Sequence, residues 1–397
     1  MLIVGYLYGI KSERRLEEEV KLNIAYRWFC GLGLSDKIPD HSTFSQNRRR
    51  RFNDSTIFNE IFNEIVIQCI SNDLVTGDDV VSYGTYIPAN VSKKSKLIVT
   101  QQVEKSTVSY MEALNKELSQ MNGYKEPVPR IIKKEVYKST TDHDCGYIAQ
   151  PNKKGLGYLA EMSVDTTHGI ITGVDVFPAN TSESTIILKH IERQIADTGI
   201  SIKNLALDGG YDSGAVHRGL EILNIKGYSS LRNYHNNPMK KGFEYNVVKD
   251  CFVCKCGKEL HFHRIAYKRT TQNYHRQYKI ARKECNNCPH IEQCAVDKSA
   301  VRINASAYYP SFYANIKRTE TSEYKRLKRL RSIWAEGTFA ALKREHKLSR
   351  TCKRGNSQVN EECLLAAIAL NLKRIVKATN FHFFRFKKLL PYLRIIK

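Results

Sequence analysis

One stretch decides the fold class: Ile202-Lys203-Asn204-Leu205-Ala206-Leu207-Asp208-Gly209-Gly210-Tyr211-Asp212-Ser213. The run up to Leu207 predicts a buried strand, because short apolar runs bounded by turn residues are typical of interior strands. The strand ends at Asp208, the two glycines that follow predict a turn, and a helix is expected from about Ser213 to Leu223. A strand, a tight turn and a helix in this order favour an α/β architecture.

A hairpin and a helix are predicted just before that stretch. Leu159–Val164 and Ile170–Phe177 are apolar, and the segment Asp165–Gly169 between them resembles a turn, which is a hairpin signal. A helix is expected to begin at Ser182 or Ser184, where the chain returns to a helical spacing of apolar residues.

Further upstream, Val80–Ile87 is rich in β-branched and aromatic residues and is closed by Pro88, so it predicts another strand. The charged segment from there to about residue 135 is expected to be helical or mobile. Together these elements predict a mixed sheet flanked by helices, in the α/β class.

Changes in composition along the chain indicate five regions. Leu16, Val20 and Ile24 recur at helical spacing in the first region, and long helices are expected in the fourth, at about Ser322–Lys347 and Glu361–Lys377. The regions are a helical N-terminal domain (1–72), the first part of the sheet domain (73–244), a cysteine-rich insertion (245–302), the second part of the sheet domain (303–380) and a basic tail (381–397).

The charge balance points to a polyanionic partner. The 397 residues include 63 Lys and Arg against 40 Asp and Glu, a formal net charge of +23. Nucleic acid is the commonest partner of such an excess, although a generally basic soluble protein has the same composition. The candidate DNA contacts are Arg48, Arg49, Arg50, Arg51, Lys325, Arg326 and Arg331. For base-specific contacts by the first four, a solvated basic helix face is the favoured alternative.

Two function classes are excluded by the hydrophobic pattern. No run of about 18 consecutive apolar residues is present, so the sequence predicts no transmembrane helix. The apolar opening Met1–Ile10 runs directly into charged residues and does not have the pattern of a secretory signal. The apolar fraction of 42% also excludes a wholly disordered chain.

Two acidic residues are candidates for metal-assisted phosphodiester chemistry. Asp208 follows a strand and precedes two glycines, and Glu336 lies within a predicted helix with Lys343 seven residues later on the same face. Carboxylates held on rigid elements are the ligands that Mg²⁺ prefers, and a lysine can contact phosphate. Each residue also has a simpler explanation, Asp208 as a helix cap and Glu336 as a surface charge.

Several motifs resemble those of bacterial insertion-sequence DDE transposases. They are Gly5–Leu16, Pro39–Phe44, Gly84-Thr85 with Ala89-Asn90, Thr141-Asp142, Tyr147–Tyr158, Asp208–Ser213, and Ala335–Phe339 with Lys343. The resemblance implies an RNase H-like catalytic fold and cut-and-paste transfer of DNA by a carboxylate triad that binds Mg²⁺ or Mn²⁺. It places the second aspartate of the triad at Asp208 and the glutamate at Glu336.

The resemblance also implies the partners and the setting of the chain. Such proteins bind double-stranded DNA at transposon ends as homodimers or larger assemblies, in the bacterial cytoplasm at the nucleoid and without a membrane. Family members usually carry additional residues before the segment that begins here at Met1, so an N-terminally shortened copy is expected.

The first aspartate of the triad is missing. The family has Asp immediately before Gly84-Thr85, where this sequence has Tyr83. A phenol is neutral near pH 7 and is a poor ligand for Mg²⁺. Asp78 and Asp79 lie four or five residues away, which is about 13 to 17 Å along a strand, too far to substitute. We therefore expect impaired catalysis. An inactive DNA-binding relic that regulates related elements is the alternative, and a metal-dependent nuclease of the same fold is a third possibility.

The clustered cysteines predict a structural zinc site. Six of the eleven cysteines lie between Cys251 and Cys294, an arrangement that favours metal binding over disulfides in a long intracellular chain. The candidate ligands are Cys254, Cys256, Cys285, Cys288 and Cys294, with His261, His263 and His290 as substitutes. Reduced, partly buried cysteines without metal are the alternative. Transposases similar to this chain carry a cysteine-bearing insertion at the same place.

Overall fold

The computed structural model describes residues 1–10, 12–50, 52, 56–105, 110–150, 153–232, 238–290, 294 and 300–379. Its helices are α1 (Leu2–Leu7), α2 (Glu13–Leu22), α3 (Ile24–Phe29), α4 (Ser42–Arg50), α5 (Ile57–Ser71), α6 (Glu112–Ser119), α7 (Glu183–Thr198), α8 (Gly214–Ile222), α9 (Tyr309–Arg318), α10 (Ser322–Glu345) and α11 (Asn356–Ala378). Among the described residues, no helix combines the length and apolarity needed to cross a bilayer.

The strands form two larger sheets and one two-stranded ribbon. In chain order they are β1 (Asp79–Pro88), β2 (Lys96–Lys105), β3 (Arg130–Ser139), β4 (Gly146–Gln150), β5 (Lys153–Asp165), β6 (Ile171–Pro178), β7 (Asn204–Leu207), β8 (Lys226–Ser229), β9 (Glu244–Asn246), β10 (Cys251–Val253), β11 (Glu259–Lys268), β12 (Asn273–Ala281) and β13 (Ala300–Ser306).

The first sheet has mixed strand directions. Its order is β4-β5-β1-β7-β8, and β6 also pairs with β5. β1 and β6 run antiparallel to β5, whereas β7 is parallel to β1 and β8 is parallel to β7. With helices packed on both faces, this sheet confirms the predicted α/β, RNase H-like class.

The N-terminal segment is helical, as its periodicity predicts. Ser12 caps α2 by accepting a hydrogen bond from the Arg15 backbone N–H at 3.3 Å. Leu16 and Val20 are buried in a small core of their own with Phe44 of α4. Apolar residues at helical spacing therefore do bury one face of α2.

The expectation of a helical or mobile segment up to residue 135 is wrong where β2 and the first half of β3 lie. β2 and β3 form an antiparallel ribbon that pairs from Lys96↔Ser139 to Lys105↔Arg130. The run Leu97-Ile98-Val99-Thr100 explains the difference, because its β-branched residues favour extended backbone despite the many lysines around it. Between the two strands, α6 is helical as expected.

The second sheet follows β8 and is wholly antiparallel. Its order is β13-β12-β11-β10-β9, and one face packs a core that includes Phe252, Leu260 and Tyr278. The sheet extends from Glu244 to Ser306, and it therefore includes the region predicted to be the cysteine-rich insertion.

Helix α11 is fixed to the first sheet by an amide as well as by apolar contacts. Asn371 is fully buried, accepts a hydrogen bond from the Ile171 backbone N–H and donates one to the Ile171 carbonyl, both at 2.8 Å. The side chain therefore satisfies both backbone groups at the start of β6, where an unpaired group would be costly.

The face of the first sheet that carries α7 contains a buried polar layer. Ser82 Oγ donates to Glu161 Oε1 at 3.0 Å and lies 2.9 Å from Ser163 Oγ. Ser163 Oγ lies 2.8 Å from His190 Nε2, and His190 Nδ1 lies 2.6 Å from Asp175 Oδ2. Each member is buried and satisfied by its neighbours, which is the condition under which buried polar groups are tolerated.

Within this layer, burial of the Glu161 carboxyl disfavours its ionised form. Burial raises the pKa of its carboxyl well above the ordinary 4.5, and the nearby Glu183 adds to the effect, while Tyr211 and Ser82 partly oppose it by donating hydrogen bonds. A raised pKa in the folded state means that the carboxyl stabilises the fold fully below about pH 4.5 and loses that contribution as the pH rises through the folded-state value.

We predict that Glu161→Gln removes part of this pH dependence. The amide keeps an acceptor oxygen for Tyr211 and Ser82 and cannot ionise, so the free energy of unfolding of the variant relative to wild type should rise between about pH 5 and about pH 8. One group contributes at most about 1.4 kcal/mol per pH unit. Urea unfolding at both pH values measures the effect. Glu104→Gln, at an exposed position of β2, should leave the wild-type slope unchanged.

Candidate active site

Tyr83 lies at the centre of β1 and points towards α10. Its side chain is 3% exposed, and its ring meets that of Phe339 edge-on, with 4.4 Å between centroids. Burial raises the pKa of the phenol above its ordinary value of 10, while Thr338 and Arg374 oppose the rise. The position to which the sequence resemblance assigns the first aspartate is therefore filled by a neutral aromatic side chain.

A buried cation lies next to this tyrosine. Arg374 Nη2 donates to Thr338 Oγ1 at 2.8 Å, Nη1 donates to the Gly169 carbonyl, and the guanidinium carbon lies 5.5 Å from the centre of the Trp334 ring. Burial lowers the pKa of Arg374 to about 10, and the neighbouring Tyr83 opposes that shift. A positive charge here disfavours a second cation nearby.

Asp208 comes directly after β7, on the strand next to β1. The two strands are parallel, and Val81 pairs with Ala206, so the same register places Asp208 beside Tyr83 two residues later. Asp208 Oδ1 accepts a hydrogen bond from the Gly210 backbone N–H at 2.6 Å. The side chain is half-buried and forms the tight turn that the two glycines predict.

Glu336 and Lys343 lie on α10 at different depths. Lys343 is half-buried, and its Nζ donates to Thr85 Oγ1 at 3.1 Å, two residues along β1 from Tyr83. Glu336 is exposed, although Ala335 beside it is buried against the sheet. The structure thus brings Lys343 to β1 and leaves Glu336 at the solvent side of the helix.

The sequence analysis missed two carboxyl groups: Glu183, which lies close to Asp208, and Glu161, which lies close to Glu183. The carboxyl groups of Glu183 and Asp208 both approach Gly210. A Cβ atom placed on this glycine would lie 2.4 Å from Glu183 Oε2 and 2.9 Å from Asp208 Oδ1. A Cβ atom at Gly84 would lie 2.7 Å from Glu183 Oε1 and 3.3 Å from Glu161 Oε2. These carboxyl groups surround the face of β1 opposite Tyr83. The available signal was Glu161, an acidic residue inside an otherwise buried strand.

The predicted DNA contacts differ in their environments. Arg326 forms a bidentate ion pair with Asp79 at 2.6 and 2.8 Å and a further pair with Glu323, so its charge is largely compensated. Lys325 and Arg50 are exposed, and Arg331 is half-buried. The side chains of Arg48 and Arg49, the whole of Arg51 and the predicted basic tail 381–397 lie outside the described residues.

The cysteine-rich region brings sulfur atoms together. Cys256 Sγ and Cys288 Sγ are 3.5 Å apart. Burial and the charges of neighbouring thiols, Cys254 and Cys288 among them, raise the pKa of both Cys285 and Cys294. Tight turns follow two of these cysteines, since the Gly257 N–H donates to the Cys254 carbonyl and the Cys288 N–H to the Cys285 carbonyl. All five predicted thiols therefore converge on one region.

Family models of transposases match two parts of the chain. A family model described as a transposase domain (DUF772) matches residues 1–50, and a transposase DDE domain model matches residues 253–376. Comparison with curated proteins returned no match. Among solved structures, the Mos1 mariner paired end complex with Mn aligns at 11% identity and a TM-score of 0.19, over 54% of this chain and 56% of that chain.

The two family matches fall on the N-terminal helices and on the part of the chain that contains α10 and α11. The resemblance to transposases read from the sequence motifs is thereby confirmed for these two segments.

Proposed function

We propose that this chain binds transposon-end DNA as a DDE transposase whose strand cleavage and transfer are impaired, because Tyr83 replaces the first aspartate. The observation that carries the proposal is the burial of a neutral phenol against Phe339, at the position on β1 where the family has a carboxylate.

The residues present do not fit the pair of divalent ions that DDE chemistry uses. Asp208 and Glu336 offer carboxylates for Mg²⁺ or Mn²⁺, but Tyr83 offers none, and the Arg374 guanidinium lies on the same side of β1. The same observation favours the second candidate function, an inactive DNA-binding relic that occupies transposon ends and regulates related elements.

DNA binding is supported by the charge of the chain and by one face of α10. Lys325, Arg329 and Glu336 are exposed and are spaced by four and seven residues, so they share a helix face. Phosphate contacts from such a face are independent of sequence and sensitive to salt. We infer that the duplex lies along α10, bound by a homodimer or larger assembly at the bacterial nucleoid, in the cytoplasm.

A structural zinc ion in the cysteine-rich region is also part of the proposal. Cys254, Cys256, Cys285, Cys288 and Cys294 supply more thiols than the four that tetrahedral Zn²⁺ needs, and their proximity is costly for thiolates without a cation. Bound zinc would cross-link the two turns that begin at Cys254 and Cys285.

The DNA-binding prediction concerns Lys325→Ala/Arg329→Ala. Loss of two phosphate contacts should weaken binding of a generic duplex and make the slope of log K against log salt shallower by about two units. Fluorescence anisotropy over a salt series measures both quantities. Lys189→Ala, at an exposed position of α7 on the opposite side of the sheet, should bind like wild type. Equal salt slopes for all three proteins would contradict the placement of DNA along α10.

The zinc prediction concerns Cys285→Ser/Cys288→Ser. The variant should lose about one zinc ion per chain relative to wild type and should unfold at lower temperature. Metal analysis of purified protein and thermal unfolding with and without chelator provide the measurements. Cys352→Ser, at an exposed cysteine in the segment between α10 and α11, is the matched control and should retain all metal. Wild-type protein with well under one zinc per chain would refute the site.

The catalytic prediction concerns Tyr83→Asp. Wild type should not cleave or transfer DNA that carries the terminal repeats flanking its own gene, with either Mg²⁺ or Mn²⁺, and Tyr83→Asp should gain metal-dependent cleavage because it restores the third carboxylate. Gel analysis of strand cleavage gives the first readout. The second is the shift of melting temperature on adding Mn²⁺, expected for Tyr83→Asp alone.

Tyr83→Phe is the control for that experiment, since it removes the hydroxyl and keeps the ring. It should remain inactive and should not respond to Mn²⁺. Robust cleavage by wild type would overturn the proposed impairment. If wild type does not bind DNA, both candidate functions are wrong.

A further inference from the structure

A second group of metal-ligand side chains lies on β10 and β11, apart from the five converging thiols. Cys251 pairs directly with His261 across the two antiparallel strands. Glu259 lies two residues before His261, and strand geometry therefore places all three side chains on one face of the sheet. One ligand atom from each lies within 4.8 Å of the other two.

The three side chains differ in their exposure to solvent. Cys251 is fully buried, whereas the side chains of Glu259 and His261 are 29% and 63% exposed. His261 Nε2 lies 3.4 Å from Glu259 Oε2. Solvent thus reaches the group from the side of the imidazole and the carboxylate, and the thiol lies beneath them.

Lys249 holds the carboxylate in place. Its Nζ lies 2.6 Å from Glu259 Oε1, so that oxygen is engaged while Oε2 faces His261. An outer contact of this kind fixes the orientation of a metal-binding carboxylate without occupying the oxygen that binds the ion.

The group is separated from the five thiols by β10 itself. Phe252 and Cys254, on either side of Val253 in the sequence, pack with the core on one face of the second sheet. Because successive side chains alternate across a strand, Cys251 points to the other face. The two sets of ligands therefore cannot share one ion.

We propose that Cys251, Glu259 and His261 bind a zinc ion. Thiolate sulfur, imidazole nitrogen and carboxylate oxygen are the three donor types that zinc accepts in a tetrahedral site, and three protein ligands leave the fourth position for water. The thiolate and carboxylate balance the charge of the ion. An open position and exposed ligands make this ion the more readily exchanged of the two.

A matched control for this group lies on the same strand. His263 lies two residues beyond His261 on the same strand and is exposed; it is outside the group and offers a matched control.

The test compares the zinc content of the full chain with that of His261→Ala, Cys251→Ala and His263→Ala. We expect wild type to contain about two zinc ions, the first two variants to lose about one, and His263→Ala to lose none. Replacement of an exposed histidine should leave the fold intact, which circular dichroism verifies.

Cobalt distinguishes this site from the five thiols. In Cys285→Ser/Cys288→Ser protein, added Co²⁺ should still give thiolate-to-cobalt charge-transfer absorption, and further substitution of His261→Ala should abolish it. Unchanged zinc content in both Cys251→Ala and His261→Ala would overturn the proposal. Metal loss confined to the Cys285→Ser/Cys288→Ser variant would support only the zinc ion of the five thiols. None of these measurements requires transposition activity.

Discussion

The double pairing of β1 is the constraint on which the candidate site depends. One edge of β1 pairs antiparallel with β5 and the other pairs parallel with β7. The parallel register carries Asp208 to the level of Tyr83, and the alternation of side chains sends Tyr83 towards α10 and Gly84 towards α7. A shift of one residue would exchange these faces and would bury the wrong set of side chains on each.

The two faces of β1 have opposite electrostatic character. The α10 face holds aromatic rings and the Arg374 guanidinium, whereas the α7 face holds the carboxyl groups of Glu161 and Glu183 close to Asp208. These carboxyl groups therefore lie on the face of β1 away from α10, and burial favours the protonated form of Glu161. This distribution, together with the burial of Tyr83, is the physical basis of the proposed impairment of DNA cleavage.

Local patterns in the sequence predict most of the strands and helices correctly. They do not predict which side chains from distant parts of the chain lie together. The strand at Val80–Ile87, the hairpin that follows residue 159 and the strand before Asp208 are present, because short-range alternation and turn residues determine them. The β2–β3 ribbon differs from the expected helical or mobile segment, because its β-branched residues favour extended backbone in spite of the lysines around them. Contacts such as Arg374 with Thr338, or Glu183 with Asp208, join distant parts of the chain, and no local period encodes them. The placement of DNA, zinc and divalent ions stays a prediction.

The ring of Tyr83 also bears on the history of the gene. Tyrosine and aspartate codons differ at a single base, so mutation regularly supplies the aspartate that the family has at this position. The new carboxylate would lose the edge-on contact with Phe339 and would occupy a space shaped for an aromatic ring, at a cost of about 3 kcal/mol or more. A revertant at this position would therefore begin with a less stable protein.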